Sequence, residues 1–165
     1  MDRIWAPWRT AYLQNATEKT DGCLFCTIGK DGNGRQDHVF LRRTHCYAVL
    51  NRYPYNNGHV LIVPYRHVND LSLLTRDELM ECFETLSYVQ SLLTGILHPE
   101  GFNVGINIGR AAGAGIPDHI HLHIVPRWVG DVNFMPVLSD TRVISQSLDE
   151  LHQALVSAHQ KRSAP

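Results

Sequence analysis

The pattern of apolar and polar positions divides the chain into segments with different periods. Residues 47–50 (Tyr-Ala-Val-Leu) and 60–63 (Val-Leu-Ile-Val) are short, continuous apolar runs. The second is entered through Asn56-Asn57-Gly58 and stopped by Pro64, and both predict strands of an antiparallel sheet. A three-to-four spacing then takes over. Thr75 and Glu78 have the spacing of a capping box, Leu79, Phe83, Leu86, Val89 and Leu93 mark one helical face, and Gly95 is expected to close the helix. Residues 102–108 predict another strand, with a glycine at 105. A loop over residues 109–115 contains three glycines and three alanines, and Ile116-Pro117 leads from it into a strand over residues 119–125, closed by Pro126. Ser147 with Glu150 is a second capping box, opening a C-terminal helix that carries Leu148, Leu151 and Leu155. Residues 14–37 are polar and turn-rich, interrupted by Cys23-Leu24-Phe25-Cys26. Strands and helices in separate blocks, without strict alternation, predict an α+β fold built on an antiparallel sheet with one long helix and a C-terminal helix.

Length and composition narrow this. At 165 residues, with no repeat, low-complexity tract or linker, the chain is expected to be one domain over residues 1–165. Within it, residues 1–37 form an N-terminal segment, 38–145 the core and 146–165 the C-terminal helix. The chain is 44% apolar, and its 15 basic and 16 acidic residues nearly cancel. No global field therefore draws in nucleic acid or an anionic membrane, although a local site for a small phosphorylated ligand is compatible with this balance. No run approaches the ~18 apolar residues of a membrane span. The first thirteen residues lack an apolar stretch and a small-residue cleavage site, so a secretory signal is not expected. A cytoplasmic location is the expectation.

The unusual count is ten histidines. In Asp118-His119-Ile120-His121-Leu122-His123-Ile124-Val125, strand geometry sends His119, His121 and His123 to one face and Ile120, Leu122 and Ile124 to the other. The apolar face suits a core. The opposite face becomes a row of imidazoles spaced about 7 Å apart. A solvated sheet surface would more naturally carry Thr, Lys or Glu. A neutral imidazole is a nucleophile near neutral pH and its neighbours can donate to phosphate oxygens, so such a row suits phosphoryl or nucleotidyl transfer. The preceding loop, with Asn107, Gly113, Ala114 and Gly115, has small residues whose amides could approach a phosphate closely. By itself that loop is an ordinary surface turn; beside the histidines it reads as a phosphate cradle. His38, His45, His98, His152 and His159 fall in loops or on helix faces and carry no predicted chemistry.

The pair Cys23-x-x-Cys26 has half the spacing of a zinc site. A thioredoxin-like redox pair competes, but no clear strand precedes it and no helix evidently opens there; inert buried thiols are the third reading. Cys46 and Cys82 fall within strand and helix patterns and read as core thiols.

The segment His119-Ile120-His121-Leu122-His123-Ile124-Val125 resembles the His-φ-His-φ-His-φ-φ signature of the histidine-triad (HIT) superfamily, φ being apolar. Residues 51–64 are similar to that family's strand–turn–strand ahead of its long helix. Phe102-Asn103-Val104-Gly105-Ile106-Asn107 and Pro126-Arg127-Trp128 fit as well. With Trp5-Ala6-Pro7-Trp8-Arg9, the pattern resembles most the bacterial members of the fragile-histidine-triad and diadenosine-tetraphosphate phosphorylase branch. The likeness spans roughly residues 3–145.

The resemblance implies a HIT-like fold and an enzyme that cleaves dinucleoside polyphosphates at the α-phosphate through a nucleotidyl-histidine. It implies that His121 is the nucleophile, that His123 assists at the phosphate and leaving group, and that His59 lies behind them. It implies that Asn51 contacts the ribose and Asn107 the phosphate. It further implies a structural zinc held by Cys23, Cys26, His67 and His119, no organic cofactor, an adenine nucleotide as substrate, and a homodimer joined through residues 75–95 and 102–108. The interval from Asn107 to His119 is one residue longer than in the animal-type enzymes, and Ala114-Gly115 stands where some phosphorylases carry Gly-Ser. The acceptor, water or orthophosphate, stays open. So do a nucleoside phosphoramidase, an adenylylsulfate-cleaving enzyme and a nucleotide-binding interaction protein.

Overall fold

A strand with no polar alternate needs cover on both faces, and two of the strands here are of that kind. In the computed structural model, which describes residues 22–30, 37–131 and 144–163, β2 (Cys46–Leu50) and β3 (Val60–Pro64) are buried at every position. With β1 (Val39–Arg42), β4 (Gly101–Ile106) and β5 (Leu122–Arg127) they form a five-stranded antiparallel sheet in the order β1-β2-β3-β5-β4. Two helices, α2 (Arg76–Leu97) and α3 (Leu148–Ser163), cover one face. There Cys46, Ala48, Ile62, Leu122 and Ile124 pack with Cys82, Val89, Leu93, Leu151 and Leu155 in a single core. The short helix α1 (Leu24–Lys30) covers the other face, setting Phe25 and Ile28 against Tyr47, Val49, Leu61 and Val63. The α+β architecture with an antiparallel sheet, a long helix and a C-terminal helix is the one expected. The opening Trp5-Ala6-Pro7-Trp8-Arg9 and the turn at residues 31–34 lie outside the described residues.

Both capping boxes form. The Glu78 amide donates to Thr75 Oγ1 at 3.3 Å and the Thr75 amide returns to Glu78 Oε2 at 2.7 Å; Ser147 and Glu150 exchange the same pair at the start of α3. Glu78 also takes a two-pronged contact from Arg66, 2.7 Å from Nε and 2.8 Å from Nη2. The Arg66 guanidinium is the main reason its carboxyl is held down to about 2. Through that pair the N-terminus of α2 anchors the segment after β3, which carries His67. One turn later, Glu81 accepts the amides of Thr44, His45 and Cys46 and so closes the β1–β2 hairpin.

Strand β4 stops at Ile106, two residues short of its expected end, and three other boundaries differ from expectation. Helix α2 runs past Gly95 to Leu97 and is ended by His98, which takes the left-handed conformation (φ 47°). A glycine inside a helix costs only about 1 kcal/mol, and buried Leu92 and Leu93 hold the last turns in the core. Strand β5 begins at Leu122 and passes through Pro126 to Arg127. Pairing with β3 covers only residues 122–124, so the proline falls beyond that ladder. Residues 119–121 are a lead-in fastened by the Ile120 amide to the Val68 carbonyl at 2.7 Å. The third difference is α1 itself: Cys23-x-x-Cys26 does open a helix, contrary to its reading from sequence.

Turn geometry then sets His59 behind β5. Gly58 has φ +78°, and a Cβ there would lie 2.6 Å from Leu97 Cδ1 and 2.9 Å from Pro126 Cγ, so only glycine fits. Asn56 Nδ2 donates to the Pro126 carbonyl at 3.2 Å and to Asp131 Oδ2 at 2.8 Å, while Arg127 grips both oxygens of Asp131. The β2–β3 turn is thereby locked to the end of β5.

Candidate active site

The histidine alternation survives, but the row is not exposed. His119, His121 and His123 are at most 8% accessible and lie on the α1 side of the sheet. The rings of His121 and His123 are 4.8 Å apart, closer than ideal strand spacing, because His121 precedes the regular strand.

Backbone groups, whose donor or acceptor role is fixed, determine where each imidazole carries its proton. His121 Nδ1 is 2.9 Å from the His119 carbonyl oxygen. A carbonyl only accepts, so Nδ1 holds the proton and Nε2 keeps its lone pair. Burial holds this imidazole below its ordinary pKa, which favours the neutral, nucleophilic form. His59 is read the other way. Its Nδ1 receives the Tyr55 amide at 3.0 Å, with Asn51 Nδ2 at 3.2 Å, so its proton sits on Nε2. Burial above all, then the neighbouring His123 and His121, push His59 down to about 3. His59 Nε2–H therefore donates to His123 Nδ1 at 2.9 Å, which leaves the His123 proton on Nε2, with the Asn107 side-chain amide 3.5 Å away. A lone pair on His121 and an N–H on His123 stand side by side. That arrangement can attack phosphorus with one nitrogen and receive charge on a departing oxygen with the other.

His119 faces a different cluster. Its Nε2–H donates to the Pro64 carbonyl at 2.8 Å, so the Nδ1 lone pair is directed at Cys23 Sγ (3.3 Å), Cys26 Sγ (3.6 Å) and His67 Nδ1 (3.3 Å). Cys26 Sγ is 3.5 Å from His67 Nδ1, and the four ligand atoms all lie within 4.8 Å of one another. A tetrahedral ion with metal–sulfur bonds of about 2.3 Å and metal–nitrogen bonds of about 2.0–2.1 Å needs sulfur–nitrogen edges near 3.5 Å and a nitrogen–nitrogen edge near 3.3 Å. The four residues fit such an ion. Although the cysteine pair opens a helix, as a redox pair would, each of its sulfurs has an imidazole partner. Between the two cysteines, Phe25 packs its ring 5.5 Å from that of His119 and 4.8 Å from that of His121.

The predicted phosphate cradle needs correction. The Gly113 amide donates to the Arg110 carbonyl at 2.9 Å and the Ala114 amide to Gly109 at 3.4 Å, and Ala114 is buried. A tight turn over Arg110–Ala112 consumes those two amides, so of the predicted trio Gly115 is the one outside this turn. Asn51, expected at a ribose, also supports His59: its Oδ1 accepts the Tyr53 amide at 3.0 Å while Nδ2 faces the imidazole. Cys46 and Cys82 are fully buried core thiols, as read. His38, His152 and His159 have structural partners in Asp149, the Val39 carbonyl and Tyr88. Sequence reasoning missed Tyr55, whose amide and ring both meet the buried histidines. Only its place four residues before His59 in a tight turn hinted at this.

With the geometry established, likeness to known proteins can be stated. The family model described as the HIT domain matches residues 33–129. AP-4-A phosphorylase of Mycobacterium tuberculosis is 36% identical over 166 residues, covering 95% of this chain and 84% of that one. Bis(5'-adenosyl)-triphosphatase of Saccharomyces cerevisiae is 39% identical over 101 residues, 58% of this chain and 48% of the yeast one. The solved structure of a Zn-bound histidine triad family protein from Mycobacterium smegmatis superposes with TM-score 0.70 at 28% identity, over 87% of this chain and 98% of that one.

The depressed pKa of His59 has a consequence for stability. Folded, His59 stays neutral down to about 3; unfolded, it takes a proton near its ordinary 6.5. Its contribution is full above 6.5 and is lost as pH falls toward 3, at up to about 1.4 kcal/mol per pH unit for one proton. Urea unfolding at pH 7 and pH 5 should show a smaller acid loss in His59→Gln than in the wild type. Equal losses would refute the assignment.

Proposed function

The chain belongs to the HIT family, and we propose that it cleaves dinucleoside polyphosphates at the α-phosphate in two displacements, through a nucleotidyl group carried on His121. The observation that carries this reading is the pairing of an unprotonated His121 Nε2 with the His123 Nε2–H beside it. In the first displacement His121 Nε2 bonds to the α-phosphorus while the bond to the leaving nucleotide's oxygen breaks. The His123 N–H hydrogen-bonds to that oxygen as charge gathers on it. Asn107, with the amide of Gly115, contacts the non-bridging oxygens, and Asn51 the ribose. The His119 carbonyl keeps the His121 Nδ1–H in place throughout, so attack uses a single nitrogen. In the second displacement an acceptor oxygen attacks the phosphorus and His121 is released. Orthophosphate is the acceptor we favour, because the relative matched over 95% of this chain is called a phosphorylase.

We further propose that Cys23, Cys26, His67 and His119 hold one structural zinc ion. Bound there, the ion ties α1 to the end of β3 and to the lead-in of β5. The donor set and its edge lengths support this, as does the Zn-bound histidine triad relative. A homodimer is the third part of the proposal. Val104 is exposed on β4, an edge strand, and Met80 and Phe83 are exposed on α2. Leu86, on the same helix, is buried in the protomer's own core.

Diadenosine tetraphosphate supplied with orthophosphate should yield ATP and ADP; ATP and AMP would make water the acceptor. A chiral α-thio substrate should react with retention at phosphorus, since two inversions cancel. His121→Ala should lower kcat by about three orders of magnitude or more. Net inversion, or near-normal kcat in that variant, would overturn the assignment. The purified protein should carry close to one zinc per chain, and Cys23→Ser should lower Tm by more than about 5 °C, because metal-binding energy is folding energy. Elemental analysis without zinc in unchelated protein refutes this part alone. Light scattering after size exclusion should give twice the chain mass; a monomer at micromolar concentration removes the dimer.

A further inference from the structure

Tyr55 stands where the buried pair His59–His123 meets solvent: it is 41% exposed, on the turn before β3. Its ring lies 4.5 Å from that of His59 and 5.8 Å from that of His123, and with His123 it is nearly parallel, at 11°. Its amide donates to His59 Nδ1 at 3.0 Å. One residue thus touches both imidazoles, by hydrogen bond and by ring face.

We propose that Tyr55 is a positioning residue for the leaving-group donor, fixing through its amide the proton on His59 Nε2 and through its ring the plane of His123. The inference rests on the nucleotidyl-transfer reading above. His123 is held at Nδ1 by the His59 hydrogen bond, has the Asn107 side-chain amide 3.5 Å from Nε2, and sets its ring 4.8 Å from that of His121 at a tilt. The Tyr55 face, the one nearly parallel to that ring, adds a constraint on its plane. The chemical step then balances without a proton changing owner. The His121 Nε2 lone pair forms the new bond to phosphorus, and the electrons of the breaking P–O bond remain on the departing oxygen. His123 Nε2–H hydrogen-bonds to that oxygen and keeps its proton, since a neutral His59 donating from Nε2 has no second proton to pass forward. A donor aimed in advance lowers the barrier most where the most charge collects on the departing oxygen.

Two aryl esters of AMP give the test: the 4-nitrophenyl ester, whose leaving oxygen is weakly basic, and the phenyl ester, whose oxygen is more basic. The readout is kcat/KM for both in wild type, Tyr55→Ala and Tyr55→Phe, with diadenosine tetraphosphate alongside. The ratio of the two esters within one protein is independent of how much of that protein is folded. Tyr55→Ala should lose about tenfold more on the phenyl ester than on the nitrophenyl ester, and Tyr55→Phe should restore the wild-type ratio. Equal losses on both esters would make Tyr55 a packing residue and overturn the proposal. A loss confined to diadenosine tetraphosphate, with both esters unaffected, would make it a stacking platform for the second nucleoside and also overturn it. A wild type that cleaves neither ester would overturn the nucleotidyl-transfer reading itself, which is distinct from a Tyr55 failure, where wild type cleaves both.

Discussion

His119 is the residue on which the rest of the site depends, because three of its groups are committed in three directions. Nε2–H is fastened to the Pro64 carbonyl at the end of β3. Nδ1 is turned toward two thiols and a second imidazole. The main-chain carbonyl accepts Nδ1–H of His121. Each commitment excludes an alternative: the first fixes the tautomer, the second fixes which nitrogen meets the ligand cluster, and the third fixes which nitrogen of His121 is free. A change at His119 would therefore reach both the cysteine cluster and the tautomer of His121.

This dependence explains why a sheet needs a seven-residue helix on its second face. The described part of α1 buries little beyond Phe25 and Ile28, and at roughly 1.5–3 kcal/mol for a fully buried large apolar side chain it gains modest stability from packing. The Tyr47 hydroxyl donating to the Phe25 carbonyl at 2.7 Å, and Arg42 reaching the Ile28 and Gly29 carbonyls, fasten the helix at its middle and end. The cysteine cluster fastens its start. Phe25 is then pressed against both His119 and His121, so what holds the helix down also covers the His121 ring.

What could be read from the sequence followed from periodicity and short-range chemistry. Alternation in residues 119–125 placed the histidines on one face correctly, since that depends only on a strand's two-residue period, and the capping boxes at Thr75 and Ser147 are local. The β1 strand and helix α1 went unread because each is very short, at four and seven residues, and owes its conformation to tertiary partners: β2 for one, the cysteine cluster and Tyr47 for the other. Gly95 misled because a single glycine is a weak stop against two buried leucines. The phosphate cradle was overread since a glycine-rich loop shows where amides can approach a ligand, not whether its own turn has already used them. Tyr55 escaped because its role depends on a backbone amide and a ring face, and neither leaves a periodic trace.

Burial has a chemical meaning in this site beyond stability. Were His59 charged, both its nitrogens would donate, and Nδ1 would confront the Tyr55 amide, which also only donates. Desolvation and that amide therefore oppose protonation of His59 together. A neutral imidazole pair offers a hydrogen bond but resists giving up a proton, because the loss would leave a buried anion. Such a donor is suited to leaving groups that depart as stable anions. The oxygen of a phosphoanhydride does so, with its charge spread over the departing phosphate and held by the polyphosphate chain. The oxygen of an alkyl ester does not, and would need the proton itself. The same forces that fix the tautomers thus favour anhydrides over alkyl esters, in agreement with a dinucleoside polyphosphate as substrate.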